Sequence, residues 1–313
     1  MHGVLDAIQV FFSQLADVAL LPLALGLALH VVKTMCTSRA WRNVIAAAYP
    51  DARVPWRPLW AAYLAGVGVN AIVPARGGDV LRLFLAHRAV PAATYTTLAS
   101  TYLVMAIFDS AMALAIFTYA LTLGVLPSIH SLPHLPSFDF SWLLGHHTAL
   151  NTLIALALVA LTAAAVWAHS RIEDFWARVS QAFSVMHPAT RYLREVVFWQ
   201  VCDWALRFAT IWCFLAAFHV PQTARNALLV QVTQSLATLA PITPGGIGTE
   251  QAFIVYAFSG AVAKSRLLAF SVGMKVCLTA LNVLLGFGAI FFTLGTFRFR
   301  RHVDAAPETE AEG

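Results

Sequence analysis

An all-α, polytopic membrane fold is predicted by three observations. The chain has 313 residues, of which 59% are hydrophobic and 11% charged, with a mean hydropathy of +0.72, whereas soluble domains carry about 25% charged residues. Five apolar stretches are each long enough to cross a hydrocarbon core of about 30 Å at about 1.5 Å per residue. Two further apolar stretches are each interrupted by helix breakers and ionisable side chains. Together these give five full spans plus two oppositely oriented re-entrant helical hairpins, nine membrane segments in all, in one domain over residues 1–300.

The N-terminus does not read as a secretory signal: it lacks a basic start and carries Asp6 and Asp17. The full spans are expected at 16–36, 96–123, 148–168, 196–219 and 267–295. Short apolar legs at 59–73 and 79–90 flank the first break, and legs at 226–240 and 249–263 flank the second. A 15-residue leg reaches only about 22 Å as a helix, which favours a hairpin over two crossings. Residues 124–147, with Pro127, Pro133 and Pro136, read as an irregular loop. Residues 171–187 place Ile172, Phe175, Trp176, Val179, Phe183 and Met186 opposite Glu173, Asp174, Arg178 and Gln181, the pattern of an interfacial amphipathic helix. The acidic tail, 301–313, reads as disordered.

Basic residues cluster in segments 33–57 (Lys33, Arg39, Arg42, Arg53, Arg57) and 169–194, and again at Arg298, Arg300 and Arg301. The positive-inside rule places these segments in the cytoplasm, the N-terminus outside and the C-terminus inside, in the cell's inner membrane. The hairpins then enter from opposite faces, each between full spans, the layout of an inverted repeat whose tips meet at the midplane. The +5 formal charge is not a nucleic-acid footprint, because no basic helix face interleaved with aromatics stands outside the membrane segments. Cys36, Cys202, Cys213 and Cys277 form no CxxC pair and read as small buried hydrophobes. His130, His134, His146 and His147 have irregular spacing and one nearby acid, Asp139, a poor metal set. No cofactor is expected.

The two breaks carry the candidate chemistry. The first contains Asn70, Pro74, Arg76, Gly77, Gly78, Asp79 and Arg82. Pro74 ends one leg, the glycines let the chain turn, and Asp79 opens the next helix. Arg76 beside free helix N–H groups makes an anion site suited to phosphate. Asp79 and Arg82, three apart, share a face on which they can pair. The second break contains Thr243, Pro244, Gly245, Gly246, Gly248, Glu250 and Gln251. Thr243 and Pro244 suit a helix start, and the glycines allow close backbone approach to a ligand. Glu250 is open to three roles: facing a cationic head group, binding a coupling proton, or pairing with Arg76 or Lys275. Charge at such depth is costly, so it marks function by default. Of the other buried ionisable groups, Asp203 and Arg207 are four apart and form an intrahelical pair, while Asp109 and Lys275 must face the interior or each other.

On these residues the chain resembles the transmembrane region of lysylphosphatidylglycerol synthases and the stand-alone flippase-like proteins. The pattern Asn–x3–Pro–x–Arg–x–Gly–Glu–x2–Arg maps onto Asn70, Pro74, Arg76, Gly78, Asp79 and Arg82, with Asp for Glu. Pro–x–Thr-Pro-Gly-Gly–x–Gly–x–Glu maps onto Pro241, Thr243, Pro244, Gly245, Gly246, Gly248 and Glu250. Arg39, Trp41 and Arg42 match the family's Arg-Trp stretch, whereas Met105 and Ala106 stand where it often carries Glu-Arg. The resemblance implies a stand-alone translocator of a phospholipid or polyprenyl-linked lipid, with an anionic or phosphate-bearing head group. It also implies a partner enzyme of lipid or glycan synthesis. A lipid-modifying enzyme with Glu250 or Asp79 as base, or an accessory subunit of a glycosyl or head-group transferase system, is the alternative, and a non-transporting lipid-binding scaffold is the second.

Overall fold

The computed structural model describes residues 17–73, 77–122, 177–186, 188–239, 250–251, 254, 258 and 263–294. Among them lie long helices and no strand: α1 (Leu20–Ala48), α2 (Trp56–Asn70), α3 (Gly77–Ala89), α4 (Tyr95–Thr122), α5 (Phe198–Ala217), α6 (Ala224–Leu239) and α7 (Lys264–Leu294). Three are long and apolar enough to cross a membrane: α1, the stretch Tyr95–Ile116 of α4, and Lys264–Thr293 of α7. Helix α5 has 20 residues but carries Asp203 and Arg207, and the span expected at 148–168 lies outside the described residues, as do the loop 124–147 and the tail. The legs of the first break, α2 and α3, have 15 and 13 residues. At about 1.5 Å per residue they reach about 20–22 Å, less than a hydrocarbon core.

Helix α1 runs twelve residues past its expected end at 36. Its last turns are held by packing, since Ala40, Trp41, Val44 and Ile45 are fully buried. Lys33 therefore stands in mid-helix, not at the start of a basic loop. The described part of the amphipathic segment, helical over 177–182 and 3₁₀ over Phe183–Met186, packs on this end with Val179, Ala182 and Val185 buried. Gln181, expected on the polar face, turns inward instead. Its Nε2 donates to the Ala48 carbonyl at 2.8 Å, and Ser184 Oγ donates to the Ala47 carbonyl at 2.9 Å. The final carbonyls of a helix lack intrahelical partners, which is why these two side chains point in.

Chain entry into α5 passes through a helical turn (Ala189–Tyr192) and a π-helical turn (Leu193–Val197), whose Glu195 carbonyl accepts from Asn43 Nδ2 at 2.7 Å. The exit is a Schellman turn. His219 has φ 55°, the His219 N–H donates to Ala216 and the Val220 N–H donates to Leu215. Thr223 Oγ1 then accepts from the Asn226 N–H and starts α6.

Two helix contacts are close enough to need glycine. A Cβ at Gly68 would stand 2.7 Å from Gly286 Cα, so α2 and α7 cross backbone to backbone. A Cβ at Gly78 would stand 2.1 Å from the Gly66 carbonyl oxygen, so the start of α3 lies against α2.

Apolar packing divides into two main cores. One gathers the C-terminal half of α1, α2, α3, the start of α4 and Val196; the other gathers α6, Ile254, Phe258, the end of α5 and the first part of α7. Helix α1 belongs to both, through Leu23 and Leu27 at one end and Ala40 to Ala47 at the other. Between them it presents His30, Lys33, Thr34 and Thr37. Helix α5 presents Asp203 and Arg207 between Val196 and Ile211, and α7 presents Lys275, Thr279 and Asn282 between Met274 and Ile290. A polar layer thus separates the two cores.

Candidate functional site

At the first break, Asn70 ends α2 and reaches across to the start of α3. Its Oδ1 accepts from the Gly78 N–H at 2.7 Å, and its Nδ2 donates to Asp79 Oδ1 at 3.0 Å. One amide side chain thus satisfies a free helix donor and binds the carboxylate that the helix dipole favours there. Arg82, one turn on, lies over three rings: its guanidinium carbon is 4.2 Å from the centroid of Trp41, 4.6 Å from Tyr63 and 4.4 Å from Tyr102. Arg82 therefore sits against aromatic faces, and its buried Nε finds no hydrogen-bond acceptor. Aromatic faces carry negative charge density and hold a desolvated guanidinium without a carboxylate. Pro74 and Arg76 lie outside the described residues.

Of the second break, Glu250 and Gln251 are described and both are buried; Thr243, Pro244, Gly245, Gly246 and Gly248 lie outside the described residues. Glu250 Oε2 accepts from Lys275 Nζ at 3.1 Å, one of the partnerships open to it from sequence. The carboxylate is 5% exposed and the ammonium 34%, so Lys275 is the member of the pair that meets open space.

That space is a cavity of about 330 Å³ in the polar layer. Its charged walls are Lys33 from α1, Arg207 from α5, Lys275 from α7 and Glu250. Arg207 Nε donates to Asp203 Oδ2 at 2.7 Å, and Asp203 Oδ1 also accepts from the Thr37 hydroxyl. The intrahelical pair expected from the four-residue spacing is present, and Arg207 further stacks on Trp204 at 4.9 Å. His30 Nε2 donates to Asn282 Oδ1 at 3.0 Å, fixing α1 to α7 at the cavity wall. Asp109 and Lys275, expected to face the interior or each other, each have another partner: Asp109 Oδ1 accepts from Trp204 Nε1 at 3.0 Å. The partners are the Trp204 indole for Asp109 and the Glu250 carboxylate for Lys275.

Three cations against one lining carboxylate, inside an apolar shell, make a place for an anion. Lys33, His30, Thr210, Gln231 and Asn282 were not singled out from sequence, although a signal was there. His30, Lys33 and Thr37 recur at i, i+3 and i+7, as do Asp203, Arg207 and Thr210 at i, i+4 and i+7, each a polar stripe in an apolar helix. Among the described residues no group of three or more His, Cys, Asp or Glu is placed to hold a metal ion.

No curated protein and no solved structure matches the chain. Residues 10–286 match the model of one family, described as the lysylphosphatidylglycerol synthase TM region. That match covers most of the chain, and it agrees with a multi-pass, all-helical architecture carrying both break motifs. The chain belongs to the lysylphosphatidylglycerol synthase TM region family.

Proposed function

We propose that the protein is a lipid translocator whose polar layer holds the head group while the acyl chains stay in the bilayer. The observation that carries this reading is the cavity walled by Lys33, Arg207 and Lys275 between two apolar cores. Cationic groups inside a membrane face cavities and mark substrate paths, and a lipid head group is the anion most abundant at that location. On this reading α2–α3 and the α6 leg with its successor are re-entrant hairpins, oppositely oriented, in an inner membrane with the N-terminus outside. The short legs support that layout, as does the place of Glu250 in the cavity wall. Membership of a lipid-related family supports the cargo class.

Reconstitution in vesicles tests it. The wild-type protein is expected to move a fluorescent phospholipid between leaflets, read by quenching with a membrane-impermeant reductant. Lys275→Gln is expected to lower the rate about tenfold or more, because it removes one charged donor and strands Glu250. A wild-type rate equal to that of protein-free vesicles, or a folded Lys275→Gln variant with unchanged rate, overturns the reading.

A further inference from the structure

Beside the C-terminal half of α1 lies a second, wider cleft of about 750 Å³, walled by Asn43, Leu193, Arg194, Glu195, Phe198 and Trp199. Its floor is apolar and uncovered: Leu193 is 56% exposed and Phe198 55%. Its rim is cationic. Arg194 is exposed, and no carboxylate engages it among the described residues. Arg39 lies over Trp199 at 6.0 Å and over Trp56 at 5.2 Å, and Arg42 Nη1 donates to Asn43 Oδ1 at 3.2 Å. Glu195, the one carboxylate among the lining residues, is taken by Arg191 Nε at 3.1 Å.

We propose that the acidic segment 303–312 of this chain docks in this cleft, its carboxylates on Arg39, Arg42 and Arg194 and its small apolar residues on Phe198 and Trp199. Asp304, Glu308, Glu310 and Glu312 are the densest run of acids in the sequence, interleaved with Val303, Ala305, Ala306 and Pro307. The end of α7 lies on the right side for this. A Cβ at Gly68 would meet the Asn282 oxygen and one at Gly286 the Leu64 oxygen, so α7 runs antiparallel to α2 and its last turns reach the start of α2. Trp56 stands at that start, and Arg39 bridges it to Trp199 in the cleft wall. The ten residues from Leu294 to Asp304 can extend about 33 Å, ample to cross two ring contacts. Arg298, Arg300 and Arg301 precede the acids and suit an anionic membrane surface, which leaves the acids to face protein. Each surface ion pair is weak, but a tether of this length raises the local concentration of one partner about the other. The docked segment ties the end of α7 to the π-helical turn that leads into α5.

Cysteine cross-linking in the full chain tests this independently of lipid transport. Glu308→Cys is combined with Thr190→Cys in the cleft wall or, as control, with Arg57→Cys, exposed at the start of α2 and nearer the end of α7. A short bis-maleimide is added in detergent, and mass spectrometry of the digest tells the joined peptides from those of the native cysteines. The Thr190 product is expected to exceed the Arg57 product about fivefold or more, and either Arg194→Glu or high salt to remove that excess. Glu310→Arg with Glu312→Arg is expected to restore it in the Arg194→Glu protein. Equal products at the two positions, or an unchanged excess in Arg194→Glu protein that elutes as folded, overturns the assignment. A joined product of doubled mass gives the cleft to a second copy's tail, and loss of the excess in vesicles of mixed phosphatidylserine and phosphatidylcholine gives it to a lipid; either overturns it as well.

Discussion

Alanine at Gly78 is expected to destabilise the protein by about 3 kcal/mol or more, at or above the upper end of overpacking costs. The added Cβ would lie 2.1 Å from the Gly66 oxygen, 2.7 Å from Asn70 Oδ1 and 2.8 Å from the Asn70 nitrogen. Two of these three atoms are backbone, so no rotamer change relieves them, and α3 must back away from α2. That retreat stretches the bond from the Gly78 N–H to Asn70 and loosens the amide's hold on Asp79. Gly77 supplies the control. A Cβ there meets only the Val73 side chain, at 3.2 Å, and Gly77→Ala is expected to shift stability by less than about 1 kcal/mol. Thermal unfolding in detergent, followed by size-exclusion chromatography, distinguishes the two variants. Equal losses at both positions would contradict the close approach of the two legs.

The second large effect is expected at Asp203. Its side chain is 3% exposed and holds both Arg207 and the Thr37 hydroxyl. Removing one member of a buried pair costs about 3–5 kcal/mol, because the remaining charge has no partner. Asp203→Ala is therefore expected to fall in that range, and to leave Arg207 without its carboxylate at the cavity wall. Replacing both members, as in Asp203→Leu with Arg207→Met, is expected to recover most of the stability, since an apolar pair of similar volume is often neutral or better. Head-group binding should not recover with it, because Arg207 lines the cavity. Unfolding midpoints and lipid titrations on the single and double variants measure the two effects. A double variant no more stable than Asp203→Ala would show that the pair's role is not charge compensation.

Much of the architecture was legible because membrane helices announce themselves. Apolar length alone placed α4, α5 and α7 within a few residues of their ends, and Gly and Pro punctuation located the break between α2 and α3. The Asp203–Arg207 pair followed from helical spacing. What composition did not reveal was depth. By sequence Lys33 belongs with the basic residues after the first span, because a hydropathy profile cannot tell a lysine at a helix end from one facing a polar cavity in mid-helix. Arg82 was expected beside Asp79 by proximity along one helix. Its actual neighbours, Trp41, Tyr63 and Tyr102, come from three other helices, and only tertiary packing brings them there. Gln181 looked solvent-facing by periodicity, and the open carbonyls at the end of α1 drew it inward.

The π-helical turn at Leu193–Val197 fixes a rotational phase. An ordinary helix advances about 100° per residue, and a wider turn inserts one extra residue into that progression. Wound as an ordinary helix with no residue removed, this segment would turn everything downstream by about 100° relative to the turn before it. Asp203 would swing off the hydroxyl of Thr37, and Arg207 would leave the chamber it walls. The spare residue works like the offset in a key blade: it sets the angle at which the cuts beyond it meet the lock.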